Sequence, residues 1–194
     1  MSLMTRDRLL NEANLLMRMR GYSAFSYADL SKKIGITKAS IHHHFPTKDM
    51  LGEEVVVRSL EEMNVLFSQI ESRSASVSNR LTAYMDIFTE GYRTSMLPLC
   101  CALSADLANL PENVKQQATI YFETQIAWLT RILTEGQVSG EISSVISAEK
   151  SALIILNICE GASVVARATH KENVFGDSLE QILLILNANG GNNA

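Results

Sequence analysis

The chain has 194 residues, 46% of them hydrophobic and 20% charged, with a formal net charge of −4 and a mean hydropathy of +0.06. That length suits one or two small domains with a real core. No uninterrupted apolar run approaches the roughly 18 residues that a membrane span needs, the N-terminus lacks a secretory pattern, and three cysteines, two of them adjacent, argue for a reducing cytoplasm over a disulfide framework.

The net charge hides an asymmetry. Residues 1–50 carry eight Lys/Arg against four acids, and the remainder carries nine against seventeen. A basic head on an acidic body is what a phosphate-binding module attached to a soluble domain needs.

In chain order, residues 5–20 follow a helical rhythm, with Leu9, Leu10, Ala13, Leu16 and Met17 on one face. Gly21 ends that helix, and Tyr22 and Phe25 are expected to pack beneath the next two helices. Ser26 is a helix cap, and Asp29 three residues on can reach back to it as a capping box. Leu30 and Ile34 share a face, Gly35 suits a left-handed helix end, and Ile36 reads as a buried plug in the turn. Thr37 caps a second helix running through Lys38, Ser40, Ile41 and His44 to Phe45. Pro46 stops it, and Thr47 caps the next. Helix, glycine turn, helix is the helix-turn-helix arrangement, whose second member enters the DNA major groove.

A long helix is expected from Lys48 to about Ile70, with Leu51, Val55, Leu60, Met63, Leu66 and Phe67 inward, then a polar linker over residues 71–78. The remainder reads as helices over about 79–95, 97–109, 112–138, 147–170 and 177–188. Breaks fall at Met96-Leu97-Pro98, Leu110-Pro111, Gly136 to Gly140 and Asn173 to Gly176, with Ser147 and Asp177 as caps. From Asn187 onward the chain is expected to fray. The helix after Ser147 is apolar nearly all round and so must be covered on more than one side.

The N-terminal stretch resembles the tetracycline-repressor (TetR) family of bacterial regulators. The residues that carry the resemblance are Gly21-Tyr22, Ser26, Asp29-Leu30, Gly35-Ile36-Thr37, Lys38-Ala39-Ser40-Ile41, His42-His43-His44-Phe45 and Thr47-Lys48. His42 departs from the family pattern, which usually places there an aromatic that touches a phosphate. The resemblance implies an all-α protein: a three-helix helix-turn-helix domain over residues 1–48, then a helical effector-binding and dimerisation domain over 49–194. Double-stranded DNA with a near-palindromic operator is the implied partner. The expected contacts are Ser26, Tyr27, Thr37, Lys38, Ala39, Ser40, His42, His43, His44 and Lys48, with Lys48 as a phosphate clamp. The implied homodimer uses the last two helices, where Gly161, Ala162, Val165, Leu179, Ile182, Leu183 and Leu186 are the candidate interface residues.

A small-molecule effector is also implied. Phe67, Phe88, Tyr92, Cys101, Phe122, Gln125, Trp128 and Asn157 are candidates to line its pocket, being apolar or aromatic residues with a few polar groups among them. No metal or other cofactor is expected. Three consecutive histidines point about 100° apart on a helix and cannot converge on one ion. Cys100 and Cys101 read as core filler, with a thiol- or soft-metal-responsive regulator as the alternative. His170 lies alone beyond the head, and no nucleophile elbow or phosphate loop is visible, which argues against the other alternative, an all-helical enzyme. The expected function is a cytoplasmic, non-membrane, ligand-responsive transcriptional regulator, a repressor released by its effector.

Overall fold

The computed structural model describes residues 2–187. Over these residues it consists of α1 (Ser2–Arg20), α2 (Tyr27–Ile34), α3 (Lys38–His44), α4 (Lys48–Arg73), α5 (Val77–Arg93), α6 (Leu99–Ser104), a 3-10 turn (Leu107–Asn109), α7 (Glu112–Ser139), α8 (Ala148–Thr169) and α9 (Asn173–Asn187). The all-helical expectation holds. The predicted fraying beyond Asn187 lies outside the described residues.

Some boundaries differ from the sequence reading. α4 runs on to Arg73, so the connector shrinks to residues 74–76. The predicted helix over 97–109 is two pieces. Asp106 interrupts it, its carboxylate accepting from the Asn109 side chain at 2.9 Å and from the Ser23 backbone at 2.6 Å. Residues 173–176 are not a break, because α9 begins at Asn173. Asp177 therefore lies inside the helix, bonded to the Asn173 amide one turn earlier at 2.8 Å.

The chain forms two compact units: one gathers the chain up to Met63 with Met96–Tyr121, and the other joins Asn64–Ser95 with the chain from Phe122 onward. They are drawn differently from a division at residue 48. Leu51, Val55 and Val56 of α4 are buried, and α1 packs against α6, so the first unit takes in more than the motif.

Leu9, Leu10, Leu16, Met17, Tyr22, Phe25, Leu30, Ile41, Phe45 and Leu51 supply much of the core of the first unit. Ile34 and Ile36 are only half-buried, so Ile36 is not the buried plug that the turn pattern suggested. The end of α1 is tied to the segment before α6: the Arg18 guanidinium donates to the Leu97 carbonyl at 2.8 Å. Gly52 permits a close approach inside α4, because a Cβ there would lie 2.7 Å from the Tyr22 ring and 3.2 Å from Val114. Gly52→Val is expected to lower stability by about 1–3 kcal/mol through overpacking, read from the urea midpoint at unchanged slope.

In the second unit α8 packs on α9 and α5, and α5 on α9. α8 buries Ala152, Ile155, Leu156, Cys159, Ala162 and Ala166. Leu66, read as inward-facing, is exposed; Phe67 takes the buried position beside it. Among the described residues α8 is long and apolar enough to cross a membrane by length and composition. This corrects the exclusion drawn from uninterrupted runs: Asn157, Glu160 and Arg167 punctuate α8 without shortening it.

Candidate nucleic-acid interface

The helix-turn-helix is fastened by its caps. Ser26 and Asp29 form a reciprocal capping box: the Ser26 hydroxyl accepts from the Asp29 amide, and the Asp29 carboxylate accepts from the Ser26 amide at 2.7 Å. The Ser26 hydroxyl, donating to the carboxylate at 2.6 Å, and then the Ser26 amide hold the Asp29 carboxyl below its usual range. Gly35 ends α2 at φ 75°, a conformation costly to other residues. The Ser31 hydroxyl donates to the Ile36 carbonyl at 2.6 Å, closing the turn, and Thr37 caps α3 by accepting from the Ser40 amide at 3.2 Å. α3 is short, so this frame, with Ile41 and Phe45 buried beneath, sets its direction.

On that frame Thr37, Lys38, Ala39, His42 and His43 are exposed, while Ser40 and His44 are half-buried. Lys38 is a flexible cation at the helix start, and His42 and His43 carry ring nitrogens that can meet acceptors. His42 Nδ1 lies 3.1 Å from the Pro46 carbonyl, and its ring meets Tyr27 edge-on with centroids 4.8 Å apart. Since a carbonyl can only accept, Nδ1 carries the proton in that contact. Among the described residues no group of three His, Cys, Asp or Glu is placed to hold a metal ion.

Two expected contacts are used differently. The Lys48 ammonium donates to the carbonyls of Tyr22 and Phe25, each at 2.6 Å, and sits 4.4 Å from the centroids of both rings. Burial lowers its pKa. It therefore ties the turn between α1 and α2 to the start of α4, and its charge is not held out as a phosphate clamp. Tyr27 is buried, its hydroxyl donating to the Phe45 carbonyl at 2.8 Å and its pKa raised to about 12 by burial and then by Asp49. It supports α3 from below. Neither role could be read from spacing, because a residue at the start of a helix can point outward or fold back. Asp106 was missed for a related reason: it lies far from the motif in sequence, yet it accepts from the Ser23 amide.

The candidate pocket residues divide. Phe67, Phe88, Gln125 and Trp128 are buried in the second unit, with Tyr92 and Phe122 half-buried there. Phe67 and Trp128 stack at 4.2 Å. Asn157 is exposed on α8, so it is no pocket residue of this unit. Cys101 belongs to the first unit, half-buried next to buried Cys100. Cys159 is buried in the second unit, and burial pushes its thiol pKa up, which disfavours the reactive thiolate.

The interface candidates divide as well. Gly161 and Val165 are exposed and Leu179 and Leu183 half-buried, whereas Ala162, Ile182 and Leu186 are spent on the unit's own core. The sequence reading passed over Leu153, Ile154, Val164, Leu184 and Ile185, all exposed. Their helical spacing (153/154, 157, 161, 164/165) is present in the sequence, masked because the opposite face of α8 is apolar too.

Residues 9–55, which contain the capped helices and α3, match the family model for bacterial regulatory proteins of the tetR family. The fold matches, with a TM-score of 0.92, the crystal structure of a TetR-family transcriptional regulator from Agrobacterium tumefaciens, 29% identical and covering 96% of this chain and 100% of that one. Residues 9–55 are a DNA-binding domain of the tetR family, and the described fold is that of TetR-family regulators. Related proteins include the HTH-type transcriptional repressor DhaR of a Mycobacterium species, 23% identical over 81% of this chain and 79% of that protein. The nucleoid occlusion factor SlmA of Marinobacter nauticus is also 23% identical, over 80% of each chain. A TetR-family chain of this kind is a DNA-binding transcriptional regulator and not an enzyme.

Proposed function

We propose that the protein is a ligand-responsive repressor acting in the cytoplasm, binding a near-palindromic operator as a homodimer and released by a small molecule. The observation that carries this reading is α3: Thr37, Lys38, Ala39, His42 and His43 lie exposed on a helix whose direction two caps and a buried Ile41–Phe45 face hold. With Ser40 and His44 at its edge, α3 is the element that would read bases, while Lys38 and the amides at its start would meet phosphate. Ser26 contributes by capping α2. Tyr27 and Lys48 contribute by holding the frame.

Dimerisation through α8 and α9 is supported by their exposed apolar residues. Ile154 and Ile185 line a shared shallow cleft, so the exposed faces of the two helices adjoin. A two-fold dimer would place two copies of α3 in successive major grooves. The effector is assigned to the second unit, where the aromatic residues cluster. α4 is one continuous helix that carries Leu51 and Val55 of the first unit and Phe67 of the second, which makes it the natural coupling element. A ligand shifts this equilibrium only through a difference in affinity between the two states.

Footprinting of the full-length protein on the region upstream of its own gene tests the reading. Protection of an inverted repeat is expected, with half-site centres about one helical turn apart. Protection of a single half-site by a monomer would contradict it. Cys100→Ser/Cys101→Ser is expected to leave binding unchanged with and without diamide, since neither thiol is assigned a role. Loss of an oxidant response in that variant would instead favour thiol sensing.

A further inference from the structure

Gln125 is 1% exposed in the second unit. Its Oε1 accepts from the Tyr84 hydroxyl at 2.8 Å, but among the described residues its Nε2 has no partner. A buried amide N–H that gives up water without gaining an acceptor is a standing cost, and native interiors seldom retain one without a use. The Tyr84 ring that bonds to it stands in a cluster of flat groups. The Tyr84 ring lies 6.2 Å from Phe67, 5.1 Å from Phe88 and 5.4 Å from Trp128, centroid to centroid. Trp128 follows Gln125 by three residues on α7 and so shares its face.

The other polar groups at this cluster are already committed. The Trp128 indole N–H donates to the Glu71 carboxylate at 2.6 Å, and the Arg131 guanidinium holds both oxygens of that carboxylate at 2.6 and 3.0 Å. The pair satisfies itself, leaving neither an unpaired cation for an anionic ligand nor an unpaired carboxylate for a cationic one. What the cluster lacks is an acceptor.

Resting on the effector reading above, we infer that this cluster recognises a neutral, planar molecule whose carbonyl-type oxygen accepts from Gln125 Nε2 while its ring system lies among Phe67, Tyr84 and Trp128. Bonding to the carbonyl relieves the orphaned amide, and the flat apolar body replaces ring-on-ring contacts with equivalent ones. A carboxylate of the same shape pays desolvation with no cation to offset it, and a hydrocarbon leaves the amide as it was.

Isothermal titration of the full-length protein with a matched series tests this: 2-acetylnaphthalene, 2-ethylnaphthalene and 2-naphthoate. The ketone is expected to bind about tenfold more tightly than the hydrocarbon, with the carboxylate weakest. In Gln125→Leu the preference for the ketone should vanish. The double variant Gln125→Leu/Tyr84→Phe removes both hydrogen-bonding partners together and guards against a folding defect in the single one. Equal binding of ketone and hydrocarbon to the wild type, a preference that survives in Gln125→Leu, or no binding by any of the three would overturn the inference. Release from DNA, followed in parallel, separates the two readings. Ketone-selective binding that leaves the DNA complex intact would uphold this site and sink the effector reading. Release by the hydrocarbon or the carboxylate with no ketone preference would do the reverse.

Discussion

Ile154→Glu/Val165→Glu is expected to convert the protein to a monomer and to weaken operator binding by about 100-fold or more. Both side chains are more than two-fifths exposed and lie on one face of α8, eleven residues or three turns apart. Neither is spent on the core of its unit, so the charges are tolerated in an isolated chain. Burying them against a second copy would strand two carboxylates on each side. The effect on DNA follows from linkage: once one head is bound, the second binds at the effective concentration set by the dimer, and a monomer loses that advantage. Sedimentation velocity reads the mass, and circular dichroism confirms that the helices persist. A dimer of unchanged stability would show that copies associate elsewhere.

Lys48→Met should be a structural lesion. The substitution removes an ammonium that donates to two carbonyls at 2.6 Å and lies over two aromatic rings. Hydrogen bonds from charged donors contribute about 1.5–3 kcal/mol each, and two of them on a half-buried ammonium, discounted for solvent screening, give an expected stability loss on the order of 2–4 kcal/mol even though the aliphatic stem is kept. DNA affinity falls because the turn that positions Ser26 loosens. The salt dependence of whatever binding remains should keep its slope, since no phosphate contact has been removed. Lys48→Arg is expected to recover only part of the loss, a planar fork being a poor substitute for a compact ammonium between two carbonyls. A slope reduced by about one, at unchanged melting temperature, would return Lys48 to the role of phosphate clamp.

These two cases show what the sequence could and could not convey. The helix-turn-helix was legible because its determinants are local: Ser26 and Asp29 cap over three residues, Gly35 supplies a left-handed end, and Ile41 and Phe45 lie one turn apart on the inward face. Helix existence was legible for the same reason, whereas the start of α9 was not, because Gly176 has the look of a breaker and yet occupies the first turn. The uses of Lys48 and Tyr27 depend on carbonyls 26, 23 and 18 residues away. Nothing in the spacing of the motif reports them. α8 failed differently: being apolar nearly all round, it masked which residues would be covered within the chain. Ala162 went inward while Val164 and Val165 stayed exposed. Gln125 stands out in the sequence as a polar residue on an apolar helix, but its single satisfied oxygen emerges only from its pairing with Tyr84.

The claim on which the rest depends is that α3 reads DNA. The most direct measurement selects duplexes from a random pool with the full-length protein, then follows binding of the winning site across a salt series for wild type and Lys38→Ala. The expected result is a near-palindromic site bound far more tightly than scrambled DNA, with a slope of log K against log salt that falls by about one for each Lys38 that engages a phosphate. Failure to enrich any site, or a Lys38→Ala protein with the affinity and slope of the wild type, would contradict the assignment of α3 as the recognition helix.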